Sequence, residues 1–263
     1  KNDAPSLGAK PRRMSSKEST AVDSDTTSVG ALSSASSACG VDLDTERDET
    51  LFFIDWDDTL CPTSHYQANP EVVQTDAPAL EEHARAVDVL LRGAANLGRV
   101  VIVTMAAEGW IEQTIEKLMP CVKETLDELQ IPVSLARVGV STRCMREAFA
   151  DERSPSHFLK RRAMAKAIRE SGRSKNHVWK HIVSIGDSEA EQYALQDLMM
   201  SRFPHARDCG WTNSNCKTVK LMAESTLAEL TAQVRTLAQW LPTIARHDGD
   251  LDFHTVEDEP LLP

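Results

Sequence analysis

The sequence predicts an α/β fold: a three-layer αβα sandwich on a parallel sheet of about five strands, with no sizeable cap domain. Three observations predict it. From residue 50 onward, short runs rich in Val, Ile, Leu and Phe alternate with longer runs of helical period, the pattern that strands joined by crossover helices produce. Two of those runs, "LFFI" at 51–54 and "VVIV" at 100–103, are apolar throughout, as strands covered on both faces must be. The residues with most chemistry to offer fall where the runs end, which is where open α/β sheets hold their ligands.

Residues 1–49 are rich in Ser, Thr, Ala and Asp and nearly lack large apolar side chains. They cannot bury enough surface to offset the entropy of ordering, so a disordered Ser/Thr-rich tail is expected there. The first strand spans 50–55 and leads into a flap-like segment over 60–75. A helix then runs to Leu97, with Pro78 in its first turn, Asp76 placed to cap it, Leu80, Ala84, Val87, Leu91 and Ala94 on one face, and Gly98 as its stop. The second strand is "VVIVT", 100–104.

Helical period returns from Gly109 to Gln130, with Trp110, Ile111, Ile115 and Leu118 as an apolar stripe that Pro120 breaks or kinks. "PVSLARV", 132–138, reads as the third strand. A loop rich in Arg, Ser and Pro precedes a helix over 156–170, and "HIVSIG", 181–186, is the fourth strand, followed by a helix over 188–199. "CKTVKLM", 216–222, alternates as an edge strand does. The last helix covers 225–241, with Leu227, Leu230, Val234, Leu237 and Leu241 inward and Thr226 with Glu229 as a capping box. Residues 242–263 are acidic and aperiodic and are expected to form a loose tail.

The 29 Lys and Arg residues face 40 Asp and Glu, a formal net charge of −11. Generic attraction to nucleic acid or to an anionic membrane is therefore not expected. The six cysteines, at 39, 61, 121, 144, 209 and 216, form no Cys-x-x-Cys pair, which argues for free thiols in a reducing compartment. No apolar run approaches the roughly 18 residues that span a bilayer. An intracellular, cytoplasmic location is expected, although a chain that opens on Lys1 leaves room for a targeting segment upstream.

The stretch "LFFIDWDDTLCPTS", 51–64, runs a buried strand straight into Asp55, Asp57 and Asp58. If Asp55, Asp57 and Asp187 approach to about 4 Å, each like-charged pair costs about 4 kcal/mol at an effective dielectric of about 20. A hard divalent cation such as Mg2+ would relieve that repulsion, because it prefers carboxylate, water and phosphate oxygens. The stretch is not an EF-hand loop: Leu60 stands where such a loop needs Gly, and Tyr66 where it needs Glu. Asp58 is expected to meet solvent or stiffen the turn. His65, His83, His157 and His181 are not spaced as metal ligands, and Trp56 and Trp110 read as packing residues.

Together "FFIDWDDTL", "VVIVT", a Lys ahead of the fourth strand and "IVSIGDSEAE" resemble, in order, the four motifs of the haloacid dehalogenase-like hydrolase superfamily, over residues 50–241. The wording "IDWDDTLCPTS", "VVIVTMAAEGW" and "SIGDSEAEQYAL" resembles in particular a protist, algal and fungal group within it. The resemblance implies a Rossmann-like core and a Mg2+-dependent phosphatase that works through an aspartyl-phosphate. Asp55 would be the nucleophile. Asp57 would be the general acid and base, with its backbone carbonyl on the metal. Thr104 and a Lys would hold the phosphoryl oxygens, and Asp187 would complete the metal site with Asp55 and Asp57.

By the same resemblance Glu191 would reach the metal through water or through its ligands. Ser188 would cap the following helix or touch the metal's surroundings. The Lys is Lys160, with Lys166 the competitor; Lys180 lies at the wrong end of its strand. Met105, where relatives carry a small or polar residue, changes the pocket lining. The intervals from Asp57 to Thr104 and from Thr104 to Lys160 leave no room for a cap. In this superfamily such open sites tend to take macromolecules, so the expected partner is a phosphorylated substrate, a phosphoprotein ahead of a small phosphate ester. A catalytically silent interaction protein of the same fold, or a phosphotransferase to an acceptor other than water, are the alternatives, and the oligomeric state is open.

Overall fold

A computed structural model describes residues 49–150, 153–172, 177–200 and 214–255. The Ser/Thr-rich segment, apart from Glu49, lies outside them, as do residues 256–263. Six strands, β1 (Thr50–Ile54), β2 (Arg99–Thr104), β3 (Val133–Leu135), β4 (His181–Gly186), β5 (Asn215–Lys220) and β6 (Leu251–His254), form one sheet in the order β3-β2-β1-β4-β5-β6. Every pairing is parallel. The connections among the described residues are α1 (Thr63–Ala68), α2 (Val72–Thr75), α3 (Ala77–Leu97), α4 (Trp110–Leu118), α5 (Pro120–Leu129), α6 (Thr142–Phe149), α7 (Pro155–Ser171), α8 (Glu189–Met200) and α9 (Leu227–Arg246).

Strand alternation divides the core in two. Phe52, Ile54, Ile102, Val183 and Ile185 point to one face, where they pack on α3, α4, α5 and α9. Leu51, Phe53, Val101, Val103 and Ile182 point to the other, against α6, α7 and α8. The result is the three-layer αβα sandwich with a Rossmann-like parallel sheet. β1 and β4 lie side by side at its centre, so the ends of both open onto the same rim.

Several local expectations change. The sheet has six strands rather than about five, because residues 251–254 of the expected loose tail pair with β5. β5 is therefore internal. Asp252 explains the sixth strand: its carboxylate accepts hydrogen bonds from Thr218 (2.5 Å) and Gln192 (2.6 Å), so an acidic segment is tied to the sheet by side chains. The last helix continues past Pro242 to Arg246, where Lys217, fully buried on β5, donates to the carbonyls of Ile244 (2.7 Å) and Ala245 (2.9 Å). An ammonium at that position meets the negative end of the helix dipole.

The third strand is shorter than expected, and "TRCMREAF" within the expected loop is helix α6, capped by Ser141, whose hydroxyl accepts from the Cys144 N–H. Asp76 precedes α3 but makes no side-chain cap. Pro120 does break the long helix, with α4 ending at Leu118 and α5 starting at Pro120 itself. Cys61, Cys121, Cys144 and Cys216 are free thiols; Cys39 and Cys209 fall outside the described residues. Among the described residues no helix is long and apolar enough to cross a membrane.

His83 on α3 is completely buried, with one ring nitrogen 3.1 Å from the Thr231 hydroxyl on α9 and the other 2.9 Å from the Leu60 carbonyl. Burial pushes its pKa down to about 4, against a smaller opposing effect of the Leu60 carbonyl. The native state thus keeps His83 neutral, while the unfolded chain takes up a proton below about pH 6.5. Its contribution to stability is present above about pH 6.5 and is lost as pH falls toward about 4, a loss of about 3 kcal/mol. Urea midpoints measured across this range should fall with pH less steeply in His83→Gln than in the unmodified protein; parallel curves would contradict the assignment.

Candidate functional site

Asp55 follows β1 directly, and its N–H still donates to the Ile185 carbonyl of β4 at 2.9 Å. The ladder therefore carries the residue to the sheet's rim with no freedom to turn away. Only 5% of Asp55 is exposed. Its Oδ2 meets the Lys160 ammonium at 2.9 Å, while its Oδ1 is buried without a hydrogen-bond partner. Burial raises the Asp55 pKa and Lys160 opposes the rise, the balance expected of a carboxylate desolvated beside one cation.

Lys160 comes from the second turn of α7, which Ser154 caps by accepting from the His157 N–H at 3.0 Å. It is itself 3% exposed and also pairs with Glu191. Its competitors are elsewhere: the Lys166 side chain is 65% exposed and lies 3.9 Å from Glu170, and Lys180 faces Glu49 at the opposite end of the sheet.

The segment "GDSEAE" supplies the facing wall. Ser188 and Glu191 cap α8 reciprocally: the Ser188 hydroxyl accepts from Ala190 N–H (3.2 Å), and Glu191 Oε2 accepts from Ser188 N–H (3.1 Å) and from its hydroxyl (2.5 Å). Only the Glu191 half follows a capping box, since the Ser188 hydroxyl takes the N–H of the second helical residue rather than that of Glu191; the bonds to Ser188 turn Glu191 back toward the rim, where Oε1 takes Lys160. Gly186 makes the turn possible, since a Cβ there would lie 2.4 Å from Glu191 Cγ.

Asp187, between them, has its pKa pushed up to about 6 by burial and then by the Asp55 charge, with Lys160 opposing. The Thr59 hydroxyl donates to it at 3.4 Å.

Asp57 sits apart from this cluster. Its Oδ1 accepts from the Thr63 hydroxyl (2.7 Å) and from the Trp110 indole N–H (2.8 Å), and Thr104 reaches its Oδ2 at 3.4 Å. Thr104 is buried at the end of β2 and accepts from the Ala106 N–H. Asp58, in the left-handed region at φ 54°, takes the N–H (2.7 Å) and hydroxyl (2.5 Å) of Ser64 and so stiffens the turn. Met105 packs, half-buried, on the α7 side of the core.

Trp56 is a buried packing residue, its indole satisfied by Thr114 at 3.0 Å. Trp110 is the residue that sequence reasoning missed, because an indole in an apolar stripe looks like core. The signal that would have found it is Gly109 just before it, at φ 80°, a turn that starts α4 and aims Trp110 back at the first loop.

One carboxylate oxygen from each of Asp55, Asp187 and Glu191 lies within 4.8 Å of the others. With the unpartnered Asp55 Oδ1, this all-oxygen set fits a hard divalent cation. Both Glu191 oxygens are already engaged, by Lys160 and by Ser188, so Asp55 and Asp187 are the side chains free to ligate directly. None of the four histidines considered above joins the set: His157 faces Asp197 at 3.0 Å, His181 contacts Asn215 at the opposite end of β4, His83 is in the core and His65 is on α1. No protein-family model matches the chain, and no curated protein matches it.

The raised pKa of Asp187 gives a stability test. Its native carboxyl titrates near 6 and an unfolded one near 4, so the native state binds the extra proton between them and, without metal, loses stability as pH rises through about 6. In chelator, Asp187→Asn should raise stability by up to about 3 kcal/mol near pH 7.5 and by much less near pH 4. Denaturant titrations at the two pH values check it, and a loss of stability at the higher one would show that the carboxylate is not strained.

Proposed function

We propose that the chain is a Mg2+-dependent phosphatase that hydrolyses phosphate monoesters through an aspartyl-phosphate on Asp55. The observation that carries this reading is the split environment of Asp55, one oxygen held by a buried ammonium and the other unpartnered beside Asp187 and Glu191. Three carboxylates and one ammonium leave a formal charge of −2 in a desolvated rim, which a divalent cation cancels. When bound, Mg2+ would neutralise and orient the phosphoryl oxygens, with Asp55, Asp187 and the Asp57 carbonyl as its protein ligands.

The chain's own groups then divide the work. An Asp55 oxygen forms a bond to phosphorus as the bond from phosphorus to the ester oxygen breaks, and Asp57 gives that departing oxygen its proton. In the second half, the Asp57 carboxylate takes a proton from water while the water oxygen bonds to phosphorus and Asp55 is released. Lys160 holds Asp55 in line and offsets charge in both halves, and the Thr104 hydroxyl donates to a phosphoryl oxygen.

Between β1 and β2 the described chain holds only α1, α2 and α3, and between β2 and β4 only α4 to α7 with β3, so no inserted domain roofs the rim there. The reading is therefore of a site open to bulky esters, phosphoprotein ahead of small metabolites.

Turnover of p-nitrophenyl phosphate is expected with Mg2+ and not with chelator, and Asp55→Asn should lower it by about a thousandfold or more. Mg2+ should raise the melting temperature of the unmodified protein and leave that of Asp187→Asn unchanged. A folded protein that turns over no ester in a broad phosphate panel would overturn the enzyme reading in favour of a silent, fold-retaining interaction protein. Transfer to added alcohols in preference to water would make it a phosphotransferase.

A further inference from the structure

We propose that Trp110 is a positioning residue that fixes which oxygen of Asp57 carries the catalytic proton. The inference rests on the phosphatase reading and adds a residue to it. An indole N–H can only donate, so the Asp57 Oδ1 that receives it at 2.8 Å must act as an acceptor. The Thr63 hydroxyl occupies the same oxygen at 2.7 Å. Oδ2 has only the long 3.4 Å contact from Thr104. A proton on Asp57 therefore resides on Oδ2, on the side of Thr104, the residue assigned to the phosphoryl oxygens. Without the indole N–H, Oδ1 keeps only the Thr63 hydroxyl, which can donate or accept, so the proton can sit on either oxygen and only part of the population presents it to the leaving group.

The surroundings of Trp110 hold it in place for that task. Gly109, at φ 80°, opens α4 so that Trp110 is its first residue. The Thr114 hydroxyl donates to the Trp110 carbonyl at 3.0 Å and accepts from the Trp56 indole at 3.0 Å. Trp56 and Asp57 are neighbours in sequence, so the loop after β1 and the start of α4 are joined twice, once through each tryptophan.

The experiment compares two aryl esters that differ in how much they need a proton on the leaving oxygen. Phenyl phosphate has a basic leaving group and depends on the acid; 2,4-dinitrophenyl phosphate does not. Trp110→Phe should lower kcat/KM for phenyl phosphate by about tenfold more than for the dinitrophenyl ester. Trp110→His, whose ring N–H can donate again, should recover part of that difference and also serves if the Phe variant fails to fold. Equal losses on both esters in both variants would overturn the proposal while leaving the phosphatase reading intact. If the unmodified protein shows no turnover that depends on Asp55, the phosphatase reading fails and the proposal with it. The indole N–H resonance that disappears in Trp110→Phe should move upfield in Asp57→Asn, and an unmoved resonance would remove the hydrogen bond itself.

Discussion

The buried ammonium of Lys160 is the interaction on which the rim depends. It reaches Asp55 at 2.9 Å and also pairs with Glu191, and all three groups are almost wholly desolvated. Without it, carboxylates gathered at this spacing would repel by about 4 kcal/mol per pair even at a generous dielectric, and a parallel strand would not end in this way. Its position in turn constrains everything nearby. α7 must start at Ser154 so that its second turn faces β1, α8 must start with Ser188 bonded to Glu191, and residue 186 must lack a Cβ for Glu191 to pass. A helix face that reads as a run of solvated cations, "KRRAMAK", thus presents one of its charges to the interior.

Asp55 and Asp57 are two residues apart and occupy opposite environments. Burial is the largest influence on Asp55, and one of its oxygens has no donor. Asp57 is half-buried and receives Thr63, Trp110 and Thr104. In the proposed reaction, that difference in surroundings would suit Asp55 to the part of nucleophile and Asp57 to that of acid. The local backbone enforces the separation. β1 ends at Ile54, and the Trp56 carbonyl collects the N–H groups of Leu60 (3.0 Å) and Cys61 (2.8 Å), so Asp55 continues the strand while Asp57 opens the turn that follows it.

The apolar runs at β1, β2 and β4 were legible because strands buried on both faces leave no polar residue to blur them. Asp55 and Asp187 were legible at the ends of those strands, whereas only the motif resemblance separated Lys160 from Lys166 on the same helix. The Thr226–Glu229 box was legible for a related reason: its geometry is complete within four residues. What stayed hidden depends on partners distant in sequence. Asp252 makes β6 through Thr218 and Gln192, and α6 falls in a stretch whose Arg and Ser content looks like loop. Trp110 has the spacing of a core residue, and only the fold brings its indole to an acid 53 positions away.

Asp55 and Asp57, the proposed nucleophile and acid, also differ in what holds them. Asp55 is fixed by the sheet, through its N–H to Ile185 and its side chain to Lys160. Asp57 is fixed by elements that cross the rim: α1 through Thr63, with Ser64 bonded to the adjacent Asp58, and α4 through Trp110. The loop joining β1 to α1 is itself pinned at the Leu60 carbonyl by His83, which reaches Thr231 of α9 with its other nitrogen. Displacement of the segment over residues 60–75 would therefore shift Asp57 and leave Asp55 in place. Under the proposed phosphatase reading, contact of a bulky ester with that segment would adjust Asp57 while Asp55 and Lys160 stay together.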